Sequence, residues 1–461
     1  MPRHPAAIQG LLARLRDELR HPEFLLAVFI VATLPLEFTK DWFPVQWIEI
    51  SRLGMVALVI ATLARSGITG LRAVPRLPLL AAAAVIAVEV ASVALTRWPA
   101  GVHDAAGMIA YACFAVAVAQ SIDSRPRLAL LGFVFVASAV TIAAVGIAQE
   151  LGNFYIWRSD DLDVLGRRNA TFRDPNIMSR FLILGALAGF SLAAILPRGR
   201  PGWSAFALAA GLVVIAIGQV TTQSRSGMAL AVLMTVAACV VLFRYRRSVV
   251  LYAAVYVLSL AIGLFVLPTI FLRTGGIVDS PPAKVVLPPE KVPELTGAAR
   301  TVLSILPIDA TREYLILAGV AMYSDHPVLG VGVGGIEPLM NGPYREFIAL
   351  DYRGDNPTVL MHTEIIRIAA ETGTVGLLAF LIFTAAVTLV AVRRFRHLGQ
   401  AERVILTAIG LGLGTILLSS QLVGRLYSEP YLWLFLGLLA SPALRVREER
   451  PDAGSPAPAT G

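Results

Sequence analysis

"NIMSRFLILGALAGFSLAAIL", residues 176–196, carries a single ionisable side chain, Arg180, in an otherwise apolar run. At ~1.5 Å of rise per residue, a helix of this length crosses the ~30 Å hydrocarbon core of a bilayer. Comparable runs occupy 23–39, 46–64, 77–96, 104–120, 128–149, 203–220, 226–243, 249–270, 372–392, 404–420 and 429–444. The sequence therefore predicts an all-α, polytopic membrane protein with about 12 transmembrane helices. Its totals agree: 56 % of the 461 residues are hydrophobic and 15 % charged, where soluble domains carry roughly 25 %.

Charge tests the span count, because successive loops must face alternate sides. One set of loops holds about 21 arginines, from Arg3–Arg20 through Arg65–Arg76, Arg125, Arg127, Arg198, Arg200 and Arg244–Arg247 to Arg393–Arg403 and Arg445–Arg450. The short loops of the other set hold four basic residues, Lys40, Arg97, Arg225 and Arg425. The asymmetry puts both termini in the cytoplasm. It also accounts for the net charge of +8 without a nucleic-acid partner. Cys113 and Cys239 lie inside apolar runs and imply neither a disulfide nor a metal framework.

The expected organisation is a basic cytoplasmic segment (1–22), nine spans (23–270), a large periplasmic loop (271–371), three spans (372–444) and a disordered cytoplasmic tail (445–461). A smaller outside loop covers 150–175. Within the large loop, "GGIVDSPPAKVVLPPEKVPELTG" is Pro-rich and extended, whereas "DATREYLILAGVAMYSDHP" reads as a helix capped by Asp309 and stopped at Pro327.

Polar groups next to span ends are the informative ones in so apolar a chain. On the outside face these are Arg173, Asn176 and Arg180 at the start of the sixth span, Arg225 in the tight turn "TTQSRSGM", Arg312, His362 and Arg425. An arginine one turn into an apolar span must snorkel or meet an anion. Guanidinium groups grip phosphate oxygens in bidentate fashion, so an anion site is the functional alternative. His362 stands at the start of a helix leading into the tenth span, where the positive helix end favours the neutral imidazole of a general base. Glu364, Arg367 and Glu371 follow at spacings that place them on one stripe, a structural brace.

Two motifs are set aside. "GVGVGG" (330–335) matches GxGxxG but follows no strand–helix unit. Asp161 and Asp163 form a DxD that reads as a solvated acidic loop.

"HPVLGVGVGG" followed by "MHTEIIRIAAETGTVGLLAF" resembles the C-terminal signature of the O-antigen ligase and polymerase family. "NATFRDPNIMSRFL" is similar to that family's G-x-F-x-x-Pro-Asn element, with Ala170 where many members have glycine, and "TQSRSGMALAVL" resembles its Ser-Arg element. The resemblance covers roughly 165–380. It implies an inverting GT-C-type glycosyltransferase that takes a glycan from undecaprenyl pyrophosphate and passes it to lipid A–core oligosaccharide at the periplasmic face of the inner membrane. It also implies no metal and no cofactor. Carried onto this chain, Arg225 and Arg312 hold the pyrophosphate with Arg180 as helper, and His362 activates the acceptor hydroxyl. Arg173, Asn176 and Arg425 are further candidate contacts.

A ligase has one dominant outside loop before its last three spans, as here. A polymerase has two sizeable loops, and Arg167, Arg168 and Arg173 in the 150–175 loop keep that alternative, or a protein O-oligosaccharyltransferase, in view. An anion transporter requires inverted repeats and charges at mid-span, and the sequence shows neither.

Overall fold

A computed structural model describes residues 21–43, 48–67, 74–157, 167–195, 202–271, 310–347, 361, 363–424 and 426–444. Side chains of 267–271 and 310–314 are outside that description. Fourteen α-helices follow one another along the described chain, with no strand among the described residues. They are α1 (Pro22–Thr33), α2 (Ile50–Ser66), α3 (Arg76–Thr96), α4 (Pro99–Ser121) and α5 (Arg125–Gly152). Next come α6 (Pro175–Ile195), α7 (Gly202–Thr221), α8 (Arg225–Leu242), α9 (Val249–Phe271), α10 (Ala310–Asp325) and α11 (Ile336–Met340). The last three are α12 (Glu364–His397), α13 (Gln400–Val423) and α14 (Pro430–Ala440).

Nine of these helices, α3 to α9 with α12 and α13, are long and apolar enough to cross a membrane. The three other expected spans fall on shorter helices: α1 has 12 residues, α2 has 17 and α14 has 11. At ~1.5 Å per residue, α1 and α14 reach only about 17–18 Å as α-helix. Proline explains one shortening, since Pro35 stands two residues past the end of α1, after the C-cap Leu34.

The two ends of the bundle differ as the loop charges predict. At one end, Arg65 pairs with Glu23, Arg125 with Glu402, and Arg394 donates to the carbonyls of Ala440 and Ser441. At the other end, α6 and α8 begin and α13 finishes. There the Thr171 hydroxyl donates to Pro35 O (2.5 Å) and the Gln149 side chain binds both the N–H and the C=O of Ala170 (2.8 and 3.0 Å). Ala170 has φ +50°, the left-handed region that glycine favours, which gives a physical reason for glycine at this place in the resembling family. Helix α6 is the central one: 83 % of its membrane-grade window is buried.

Helix α12 breaks at Gly373 (φ +63°), one residue past the expected span boundary of 372. The break frees backbone groups on both sides, and the glycine loop takes them up. Val331 and Gly332 N–H groups donate to Ala370 and Glu371 carbonyls (2.8 and 2.9 Å), while Thr374 and Val375 donate to Pro327 and Val328 carbonyls (2.8 and 3.3 Å). Gly330, Gly332 and Gly334 all have positive φ. A Cβ at Gly330 would lie 2.4 Å from the Glu371 carbonyl carbon, and one at Gly334 would lie 2.4 Å from Gly101 N. "GVGVGG" is thus a backbone clip for a broken helix.

The described part of the large loop has its own small core. Leu315, Met322, Ile336, Met340, Tyr344 and Phe347 pack with Met361 and Ala370. The Tyr344 hydroxyl donates to Asp325 (2.6 Å); burial and that carboxylate raise its pKa above the ordinary phenol value. Helix α10 starts at Ala310 and ends before Pro327 as the sequence predicts; the expected cap Asp309 lies outside the described residues.

Candidate functional site

Two helix N-termini and one C-terminus converge on a narrow cleft with polar side chains among apolar ones. Asp174 caps α6 by accepting from Asn176 N (2.6 Å), with Pro175 in the first helical position, where its missing N–H costs nothing. Ser224 caps α8 by accepting from Gly227 N (3.1 Å). The Ser224 hydroxyl in turn donates to Asn176 Oδ1 (2.7 Å), which also accepts from Arg167 Nη2 (2.8 Å). The cleft between these ends and α13 is lined by Asn176, Ser179, Arg180, Ser224, Ser226 and Ser419, among others. The helices meet closely here: a Cβ on Gly227 would fall 1.8 Å from Ser179 Oγ.

In the first turn of α6 the Asn176, Ile177 and Met178 N–H groups are all taken up by Asp174, and at α8 Ser224 accepts from Gly227 and Met228, so the feature of these ends that favours an anion is the partial positive charge at the start of α8. Arg225 opens α8, exposed and with no hydrogen-bond or ion-pair partner among the described residues. Arg180 lies at the floor, 1 % exposed, with Nη1 3.1 Å from Glu429 Oε1. Of the two readings the sequence left for this arginine, snorkelling or an anion, the structure shows an anion, and the chain itself supplies it. None of the three guanidinium nitrogens is in hydrogen-bond geometry with a described group.

The remaining expected site residues are placed as follows. Arg173 is exposed, and its N–H donates to Glu37 (3.0 Å). Arg312 stands in the first turn of α10, with its side chain outside the described set. His362 and Arg425 lie outside the described residues, as do Asp161 and Asp163. The chain that follows His362 is tied to α13, one wall of the cleft. Ile365 N donates to Gln421 of α13 (3.1 Å), and Leu422 and Val423 line the cleft. Helix α10 crosses this same point, since a Cβ on Gly319 would lie 2.4 Å from Ile366 and 2.9 Å from Met361. Arg312 and the neighbours of His362 are therefore carried by two helices in close contact.

The Glu364–Arg367–Glu371 stripe is the brace the spacing predicts. Arg367 bonds Glu364 through two nitrogens (3.1 and 2.6 Å) and Glu371 through a third (2.5 Å). Glu371 also accepts from Gly334 N (3.0 Å), joining the stripe to the glycine clip. A larger cavity deeper in the bundle, lined by Leu128, Phe135, Leu184, Ile409 and Leu434 with Ser191, is almost wholly apolar and suits no anion.

Glu429 is the residue sequence reading missed. It opens the last expected span and has no local partner pattern. The one usable signal was that a buried Arg180 demands an acid at the same end of the bundle.

A family model described as O-antigen ligase matches residues 210–381. That stretch is a little over a third of the chain, and over it the chain is similar to the O-antigen ligase family. The matched stretch runs from the middle of α7 into α12 past its break, and so contains Arg225, Arg312, the glycine clip and His362. Arg173, Asn176, Arg180, Arg425 and Glu429 lie outside it. No curated protein matches the chain. The match supports a membrane glycosyltransferase with ligase- or polymerase-type activity.

Proposed function

We propose that the protein is an O-antigen ligase. It transfers O-antigen polysaccharide from undecaprenyl pyrophosphate to lipid A–core oligosaccharide at the periplasmic face of the inner membrane. The observation that supports this reading is the cleft, lined by the buried Arg180 and by Ser224 and Ser226 on either side of the exposed Arg225, which has no partner among the described residues.

The donor's diphosphate lies against Arg225, Arg180 and the α8 N-terminus, with Arg312 of α10 as the second arginine of the clamp. The acceptor hydroxyl attacks the anomeric carbon from the side opposite the diphosphate. Its oxygen forms the new glycosidic bond as the anomeric C–O–P bond breaks. The hydroxyl proton passes to His362, and the released electron pair stays on the diphosphate, whose growing negative charge the arginines stabilise. Attack from the opposite face inverts the anomeric centre.

The 150–175 loop supports ligase over polymerase. Arg167 is bound to Thr222 O (3.1 Å) and Asn176, and Arg168 is bound to Glu150 (2.8 Å) and Asn153 while stacking on Tyr155. Two of its three candidate arginines thus have structural partners.

Deletion in the native host, followed by lipopolysaccharide gels and lipid-linked glycan analysis, tests the reading. A ligase leaves core without O-antigen and long glycan on the carrier. Core bearing a single repeat makes it a polymerase instead. His362→Ala should reproduce the deletion at normal protein level, and full ligation by that variant removes His362 from the mechanism.

A further inference from the structure

Glu429 sits at the N-cap of α14, a place where a carboxylate ordinarily bonds the first N–H groups of its own helix. Here it makes no such cap bond and faces Arg180 of α6 instead. The two side chains are 6 % and 0 % exposed. The pair is neutral overall, yet Arg180 retains donors that no described residue takes up, and Arg180 lines the cleft. A carboxylate behind an anion site needs a reason, because it weakens binding of every anion there.

The reason lies in the charge balance of the reaction proposed above, on which this inference rests. The donor is a diphosphate diester. Transfer turns it into a terminal diphosphate, which gains roughly one negative charge because a terminal phosphate's second ionisation falls near pH 6. A purely cationic cleft therefore grips product more tightly than substrate and stalls after one turnover. We propose that Glu429 is a positioning residue that acts through Arg180. As resident counter-ion it holds the guanidinium back and lowers the net charge of the cleft, so that the diphosphate product is released.

The test uses the full-length protein in detergent micelles, with lipid-linked glycan as donor and undecaprenyl pyrophosphate as product inhibitor. In Glu429→Gln the inhibition constant for undecaprenyl pyrophosphate falls at least tenfold, as expected for removing one like charge within about 12 Å at an effective dielectric of ~20. The donor KM falls less, about threefold, and kcat falls as release slows. The paired variant Arg180→Gln/Glu429→Gln leaves no orphaned ion and covers the case in which the single change fails to fold. Its product inhibition is weaker than wild type.

Unchanged or weaker inhibition in Glu429→Gln, or tighter inhibition in the paired variant, overturns the role of Glu429 while leaving the transfer reading intact. A wild-type protein that neither transfers glycan nor binds undecaprenyl pyrophosphate overturns the transfer reading, and this inference with it.

Discussion

Replacing Arg367 by Met tests whether the first turns of α12 are held by a buried ion cluster. The guanidinium is 17 % exposed and bonds Glu364 and Glu371, which are 0 % and 6 % exposed. Glu89 of α3, also buried, lies within its field. Methionine fills much of the same volume but leaves these carboxylates without a counter-charge. Breaking a buried pair by removing one partner costs about 3–5 kcal/mol. The expected loss in apparent unfolding free energy, from SDS titration of the detergent-solubilised protein, is at the upper end of that range. Glu371→Gln on top of Arg367→Met should recover part of the loss, with a coupling energy of about 2 kcal/mol in the double-mutant cycle. Loss of less than ~1 kcal/mol in the single variant, or a cycle additive within ~0.5 kcal/mol, refutes the brace.

Three further outcomes follow from the geometry. Gly227→Ala should push α8 away from Ser179 and lower the transfer rate at least tenfold at normal protein level; a glycan-transfer assay checks it. Gly332→Ala adds a Cβ 2.3 Å from Thr96 at φ +94° and should destabilise the clip by at least ~2 kcal/mol in SDS titration. Asn176→Ala removes the acceptor shared by Ser224 and Arg167, and should raise the donor KM several-fold while leaving unfolding within ~1 kcal/mol.

Length and hydropathy made the helical bundle legible, because a 20-residue apolar run has few other uses. Charge made its two ends legible, since Arg65, Arg125 and Arg394 gather opposite the cleft end. The stripe of Glu364, Arg367 and Glu371 was readable from i, i+3 and i+7 spacing alone. The role of "GVGVGG" was not, because its partners are backbone groups freed by a break forty residues later. Glu429 was hidden for a related reason. Its pairing with Arg180 links two helices distant in sequence, and nothing near either residue specifies the other. The lengths of α1 and α14 were overestimated because apolarity continues past the point where the helix stops.

The central claim is that the cleft at the start of α8 holds the donor's diphosphate through Arg225. Purified protein with lipid-linked glycan donor and lipid A–core acceptor allows kcat/KM for the donor to be measured in wild type and in Arg225→Gln. Arg225 is exposed and has no described partner, so the variant should fold normally. Losing a charge-assisted clamp on the leaving group should lower kcat/KM by about 10²–10³-fold. An Arg225→Gln protein that transfers glycan at the wild-type kcat/KM contradicts the account.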